Sequence, residues 1–216
     1  MKKYRLPLAL TVNLALIALE IIATRMAYTS MGFTMLTYYT IDSNLLALIA
    51  AVFLAVFQIR ELCGKGETPA LAKTLKYISA CCLTLTFIVA LCVLTPMYSG
   101  ENALENMMLK GEMLYHHLLC PLITLFSVIL LDDARGLSKR LPLLAMIPTL
   151  IYAAVTLTLN ILRKMEGPYP FLMIYKQPLH MTIIWFAAII GGAFLITLLI
   201  YRFACGKHEK NEKLSA

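Results

Sequence analysis

Residues 179–203 read LHMTIIWFAAIIGGAFLITLLIYRF, and this stretch decides the fold class of the chain. It contains no acidic residue, and its only basic residues are His180 near the start and Arg202 near the end. A helix of about 20 apolar residues is long enough to cross the roughly 30 Å hydrocarbon core of a bilayer. The stretch is therefore predicted to be a membrane-spanning helix.

Five further apolar runs fill most of the remaining chain. Of the 216 residues, 60% are hydrophobic and only 14% are charged, whereas a soluble domain carries about 25% charged residues. The strands of a membrane barrel are about 10 residues long and alternate polar with apolar positions, which these runs do not. We predict an all-α fold, with a six-transmembrane-helix bundle over 1–205 and a disordered cytoplasmic tail over 206–216. The predicted spans are approximately 6–26, 37–59, 75–96, 113–131, 141–162 and 179–203.

The distribution of positive charge predicts the orientation of the chain. Of the 19 Lys and Arg residues, 14 lie at the two termini and in the loops that follow the second and fourth spans. Lys and Arg accumulate in cytoplasmic loops, so we expect a multi-pass protein of the cell (plasma) membrane with both termini in the cytoplasm. The net charge of +7 then reflects membrane topology, and no nucleic-acid partner is expected. The six cysteines show no zinc-binding spacing, and no metal is expected.

Polar residues within the spans concentrate at one depth, near the outer ends of the helices. A polar side chain in hydrocarbon costs a few kcal/mol unless it is paired or faces an internal cavity. At about 100° per residue, His116 and His117 point in different directions on the fourth span, so only one of them points straight into such a cavity. The pattern predicts a polar cavity that opens outward, lined by residues of the second, fourth and fifth spans: Thr37, Thr40, Ser43, Asn44, His116, His117 and Asn160.

Three interpretations of this cluster remain open. In the first, Thr40 (or Ser43) is a nucleophile, His117 (or His116) is its general base, and Asn44, Thr37 or Asn160 supports an oxyanion. This chemistry needs no cofactor, and its partners are membrane lipids and a lipid-ester substrate. In the second, His116 or His117 pairs with His180 to hold a haem or a metal. In the third, the cluster is not catalytic and the bundle binds or transports a lipid or small molecule. The sequence leaves the oligomeric state open.

Three short motifs carry a resemblance to a known family. They are Leu36-Thr-Tyr-Tyr-Thr40-Ile-Asp-Ser43-Asn44-Leu-Leu, then His117-x-x-x-Pro121 with an apolar run ending at Asp132, and Tyr169-Pro170-Phe171-Leu172. Together they resemble the signatures of a family of bacterial six-span membrane proteins. That family is in turn similar to the animal androgen-induced and androgen-dependent TFPI-regulating proteins, which are intramembrane threonine hydrolases.

The resemblance implies a function for two of these motifs. Its animal members cleave fatty acid esters of hydroxy fatty acids with a threonine and a histidine, and Thr40 matches the threonine. The bacterial pattern places the histidine four residues before the proline, at His117, whereas the animal pattern places it five residues before, at His116. The implied function is hydrolysis of a lipid ester within the membrane.

Overall fold

The structure, a computed structural model, describes residues 2–98, 100–134 and 136–215; the side chains of residues 2, 3 and 206–215 lie outside the description. Within this part, six helices are long and apolar enough to cross a membrane, and there is no strand. They are α1 (Tyr4–Thr37), α2 (Tyr39–Leu62), α3 (Ala70–Met97), α4 (Gly111–Leu131), α5 (Leu141–Ile161) and α6 (Leu179–Cys205). The predicted all-α, six-span fold is confirmed.

The first helix is longer than the sequence predicts. Its α-helical part runs to Met31, and a 3₁₀ turn continues it over Gly32–Thr37. Between Pro7 and Gly32 the helix contains no glycine or proline, and the φ of +57° at Gly32 ends the α-helix. At the other end of the chain, the helix that contains α6 continues to Ser215. The predicted disordered tail over 206–216 lies where side chains are not described, and disorder there stays a prediction.

The bundle is packed most closely around α1, α2, α3 and α4. Small side chains line the contacts of α2 with its neighbours: Ala47, Ala50 and Ala51 are fully buried and let the helix backbones approach closely. Helix α6 packs on α3 and α4, and Tyr77 of α3 donates a hydrogen bond to the carbonyl of Thr197 on α6. Helix α5 lies at the side of the bundle, where the Tyr39 and Thr149 hydroxyls, 2.7 Å apart, link it to α2.

Contacts between helix ends define the two ends of the bundle. At one end, which we call the basal end, Arg5 at the start of α1 donates to the carbonyls of Leu131 and Asp132 after α4. Lys73 at the start of α3 pairs with Asp133 at 2.9 Å in the same region. At the opposite end, the starts of α2 and α4 meet the loop between α5 and α6. Helices that follow one another in the chain therefore run in opposite directions.

Large apolar side chains cover the outer surface of the bundle. Ile49 is 64% exposed and Leu195 is 56% exposed, although both lie near the middle of long apolar helices. Exposing so large an apolar surface to water would cost free energy, whereas contact with lipid chains would not. The chain is accordingly a membrane protein.

Candidate functional site

Thr40 and His117 form a contact between α2 and α4. Thr40 lies in the first turn of α2, and its Oγ1 is 3.3 Å from Nε2 of His117. Their positions in the chain differ by 77 residues, so only the packing of α2 against α4 brings them together. His117 is 4% exposed, whereas Thr40 is half-buried, so the base lies inside the protein and the hydroxyl lies nearer its surface.

A second hydrogen bond fixes the orientation of the His117 ring. Nδ1 of His117 is 2.6 Å from the carbonyl oxygen of Met107, in a short π-helical turn over Glu105–Leu109. A carbonyl only accepts hydrogen bonds, so Nδ1 carries the ring proton. In the neutral ring, Nε2 is then an acceptor directed at the Thr40 hydroxyl. This is the arrangement that a general base requires.

Tyr169 completes the immediate surroundings of Thr40. Its hydroxyl accepts a hydrogen bond from the Thr40 backbone N–H at 3.2 Å and lies 3.3 Å from Thr40 Oγ1. When Thr40 donates its proton to His117, the Tyr169 hydroxyl is the group that donates to Thr40 Oγ1. Burial raises the pKa of Tyr169 to about 12, so the phenol keeps its proton at neutral pH. Tyr169 begins the third motif of the family resemblance, but the sequence predicted no role for it.

Ser43 and Asn44 brace the backbone of Thr40. The Ser43 hydroxyl donates to the Thr40 carbonyl at 3.0 Å, and Nδ2 of Asn44 donates to the same carbonyl at 2.7 Å. Nδ2 of Asn44 also reaches the carbonyl of His116 at 3.3 Å, which ties α2 to α4. Because the Asn44 amide donates to these two carbonyls, it is oriented away from the Thr40 hydroxyl. Its geometry is that of a positioning residue.

The other two expected support residues lie outside this network. The Thr37 hydroxyl donates to the carbonyl of Thr34, and its own carbonyl accepts from the Tyr152 hydroxyl at 2.8 Å. Asn160 is buried on α5, but it makes no hydrogen bond with Thr40 or His117. Tyr169 is therefore the side-chain donor closest to the Thr40 hydroxyl among the described residues.

His116 points in a different direction from His117. Its Nδ1 lies 4.0 Å from Oε2 of Glu20 on α1. Neighbouring positions on a helix diverge by about 100°, and here α4 is π-helical over Leu114–Leu119 before it regains α-helical geometry at Cys120. Pro121 cannot donate the hydrogen bond that an α-helix would direct to the His117 carbonyl, and a π-turn accommodates that loss. His117 is thus the histidine that faces Thr40.

Two cavities adjoin this cluster. A narrow cavity of about 60 Å³, partly open to the surface of the bundle, is lined by Thr40 and by apolar and aromatic side chains that include Trp185 and Phe186. A wider cleft of about 460 Å³ lies between α2 and α5, with Asp42 as its charged residue. Tyr39 and Tyr152 line both, so they form the wall between the two spaces.

The geometry does not support the haem or metal interpretation. His180 is exposed at the start of α6, whereas His116 and His117 are buried and directed at Glu20 and Thr40. Among the residues that the structure describes, no group of three or more His, Cys, Asp or Glu side chains is placed to hold a metal ion.

The fold and this cluster define the class of the protein: an all-α, six-span membrane protein with a partly buried threonine–histidine pair at one end of its bundle. No family model, no curated protein and no solved structure matches the chain.

Proposed function

We propose that the protein is an intramembrane hydrolase of lipid esters in which Thr40 is the nucleophile and His117 is the general base. One observation carries the proposal: the Thr40 hydroxyl lies 3.3 Å from a histidine nitrogen whose ring is oriented by a second hydrogen bond. A hydroxyl is a weak nucleophile until a base takes its proton, and this arrangement supplies that base.

The proposed reaction has two balanced steps. In the first, Thr40 Oγ1 attacks the ester carbonyl carbon while Nε2 of His117 takes the hydroxyl proton. The tetrahedral intermediate collapses, the alkoxide leaves with the proton from His117, and an acyl-threonine remains. In the second, water attacks the acyl group, His117 takes a proton from the water, and Thr40 regains its proton as the fatty acid departs.

Tyr169 supports both steps in this mechanism. Negative charge develops on the former carbonyl oxygen, and donors fixed in advance stabilise such charge most effectively where water is excluded. The Tyr169 hydroxyl is protonated and within 3.3 Å of the attacking oxygen. We assign it the role of donor to the oxyanion, in place of Asn44, Thr37 or Asn160.

The cavity at Thr40 favours a lipid substrate. Its lining is almost entirely apolar, with Leu85, Val89 and Ile189 among the residues that contribute. A volume of about 60 Å³ admits the ester group, and a longer acyl chain has to displace lining side chains or extend into the bilayer. Fatty acid esters of hydroxy fatty acids, the substrates implied by the family resemblance, are the first compounds to test.

The same proposal includes a location. We place the protein in the plasma membrane with both termini in the cytoplasm, because the basal loops and termini carry most of the Lys and Arg. The Thr40 site then lies toward the outer leaflet, where lipids reach it laterally.

A second candidate function is binding or transport of a lipid or small molecule without catalysis. The cleft between α2 and α5 favours it, because about 460 Å³ falls in the range typical of ligand pockets. In that case Thr40 and His117 stabilise the bundle.

Labelling with a fluorophosphonate hydrolase probe distinguishes the two functions. We expect the purified wild-type protein to be labelled, and the Thr40→Ala variant to lose the label. The His117→Ala variant should label about 10²–10⁴ times more slowly, since a general base contributes this factor. His116→Ala and Thr158→Ala, the latter an exposed threonine on α5, should retain labelling. Absence of labelling in the wild type, or labelling at the wild-type rate in both Thr40→Ala and His117→Ala, would contradict the hydrolase proposal.

A further inference from the structure

The wider cleft lies between one face of α2 and one face of α5. On α2 its lining residues sit at positions i, i+3, i+4 and i+7, which share one side of a helix: Tyr39, Asp42, Ser43 and Leu46. On α5 they repeat with a similar period: Ile147, Pro148, Ile151, Tyr152, Val155, Thr156 and Leu159. Thr40 is about 160° away from Asp42 around α2 and lines the narrow cavity instead. The cleft is therefore a separate space from the Thr40 site.

The α5 side of the cleft reaches the lipid-facing surface of the bundle. Ile151 is 59% exposed and Val155 is 54% exposed, and both line the cleft. Leu36, Leu46 and Met165 add further apolar surface. An alkyl chain of the bilayer can therefore enter the cleft sideways and stay in apolar surroundings.

Asp42 is the only charged residue among the described residues that line the cleft. Its side chain is half-buried, and its carboxylate forms no hydrogen bond or salt bridge with a described residue. Asp42 lies in the first turn of α2, where a helix N-terminus stabilises negative charge by about 0.3–1 kcal/mol. The helix end thus explains why a carboxylate is tolerated here, but no basic side chain of the cleft neutralises it.

Two tyrosine rings lie in the same cleft as this carboxylate. Tyr39 precedes Asp42 by three positions on one face of α2, and its ring packs edge to face against Tyr152, with the centroids 5.1 Å apart. The Tyr39 hydroxyl is 2.7 Å from that of Thr149, and the Tyr152 hydroxyl donates to the Thr37 carbonyl, so both rings are held in place. Aromatic rings attract cations and are frequent partners of quaternary ammonium groups. A carboxylate beside fixed tyrosine rings favours an ammonium group and disfavours an anion.

We propose that the cleft between α2 and α5 binds a single-chain amphiphile with an ammonium head group. The ammonium group lies at Asp42, and the alkyl tail extends along the apolar face of α5 toward the bilayer. A neutral chain would fill the same volume but leave the carboxylate unpaired, and a fatty-acid anion would bring two like charges together. The inference assigns a ligand class to the second candidate function, and it does not depend on hydrolysis at Thr40.

Competition binding tests the charge preference on the wild-type protein. The full-length protein is purified in uncharged dodecyl maltoside, and binding of radiolabelled dodecyltrimethylammonium is measured by scintillation proximity against empty micelles. We expect saturable binding that excess unlabelled dodecyltrimethylammonium displaces. Dodecanol and dodecanoate have a tail of the same length but differ in charge, and at the same concentration they should displace little of the label.

Two variants test the role of Asp42. Asp42→Asn keeps the shape of the side chain without its charge, and it should weaken binding about tenfold. Glu105→Gln alters an exposed carboxylate that pairs with Lys110 outside the cleft, and it should bind like the wild type. Size-exclusion chromatography checks that each variant is folded, and the competition on the wild type decides if Asp42→Asn is not.

Three outcomes would overturn the ammonium assignment. Displacement by dodecanol as effective as by the cation would retain the cleft as a general lipid site but remove its preference for ammonium. Folded Asp42→Asn with wild-type affinity would show that the cation binds elsewhere. Absence of saturable binding above that of empty micelles would contradict the ammonium site and remove the support that the cleft gives to the second candidate function.

Discussion

At the residue scale, two adjacent histidines have different surroundings. His117 contacts Thr40 and the Met107 carbonyl, whereas His116 points toward Glu20 on α1. Neighbouring positions on a helix are separated by about 100°, so the two rings point to different parts of the bundle. Chemistry proposed for one ring therefore does not carry over to the other.

At the same scale, the ionisation of Tyr169 provides a test of its burial. Its pKa of about 12 lies above the ordinary value of 10.0 because burial disfavours the phenolate, although hydrogen bonds with Thr40 act in the opposite direction. In the unfolded chain the phenol ionises first as the pH rises. The contribution of the buried phenol to the free energy of unfolding is therefore complete below pH 10 and is lost as the pH rises toward 12. At pH 11 the loss is about 1.4 kcal/mol.

The Tyr169→Phe variant isolates this contribution. We expect the stability advantage of the wild type over Tyr169→Phe to shrink by about 1.4 kcal/mol between about pH 8 and pH 11. Thermal or denaturant unfolding of both proteins in the same detergent measures it. A difference that stays constant over this range would show that Tyr169 is not buried as described. At neutral pH the same variant should lose about 10²–10³ in rate if the phenol stabilises the oxyanion.

At the scale of elements, the loop before α6 positions Tyr169. The loop contains a 3₁₀ turn over Pro170–Leu172, and the rings of Tyr169 and Phe171 stack at 5.2 Å. A Cβ atom on Gly167 would lie 2.3 Å from the carbonyl oxygen of Leu172, which is far inside van der Waals contact. Only glycine at position 167 therefore lets the backbone there approach Leu172 so closely.

Gly167→Ala should displace the turn that carries Tyr169. We expect the variant to lose labelling by the hydrolase probe to about the extent of Tyr169→Phe, because both changes remove the phenol from Thr40. Gly191→Ala on α6 is the matched control, since its added methyl group meets open space. Equal labelling rates for Gly167→Ala and Gly191→Ala would contradict this role of the loop.

At the scale of the whole molecule, orientation in the membrane decides which compartment reaches each end. Cys63 follows α2 at the basal end and is exposed. We expect a membrane-impermeant maleimide to label Cys63 only after the cells are permeabilised. A cysteine introduced at the exposed Glu101, in the loop between α3 and α4, should react in intact cells. The opposite pattern would invert the topology that we propose.

Much of the fold follows from the sequence, and so does the choice of candidate residues. Six apolar runs specify six helices, because only helices or closed barrels satisfy backbone hydrogen bonds in a bilayer, and the runs lack barrel alternation. A polar side chain is unfavourable in hydrocarbon, and this predicted that Thr40, Asn44, His116 and His117 face the interior of the bundle. The helical period also showed that the two histidines diverge. It could not show which one meets Thr40, because that depends on the rotation of α4.

Tertiary structure decided the remaining features. His117 lies in the π-helical turn over Leu114–Leu119 and contacts Thr40, and helix packing places Met107 and Tyr169 around them. Lys76 reads from the sequence as a charge near a loop, yet it lies buried beside Asn13. Hydropathy depends on local composition, whereas these contacts join positions far apart in the chain. The sequence alone therefore determined a six-span bundle with a polar interior, and only the packing of its helices determined which polar groups meet.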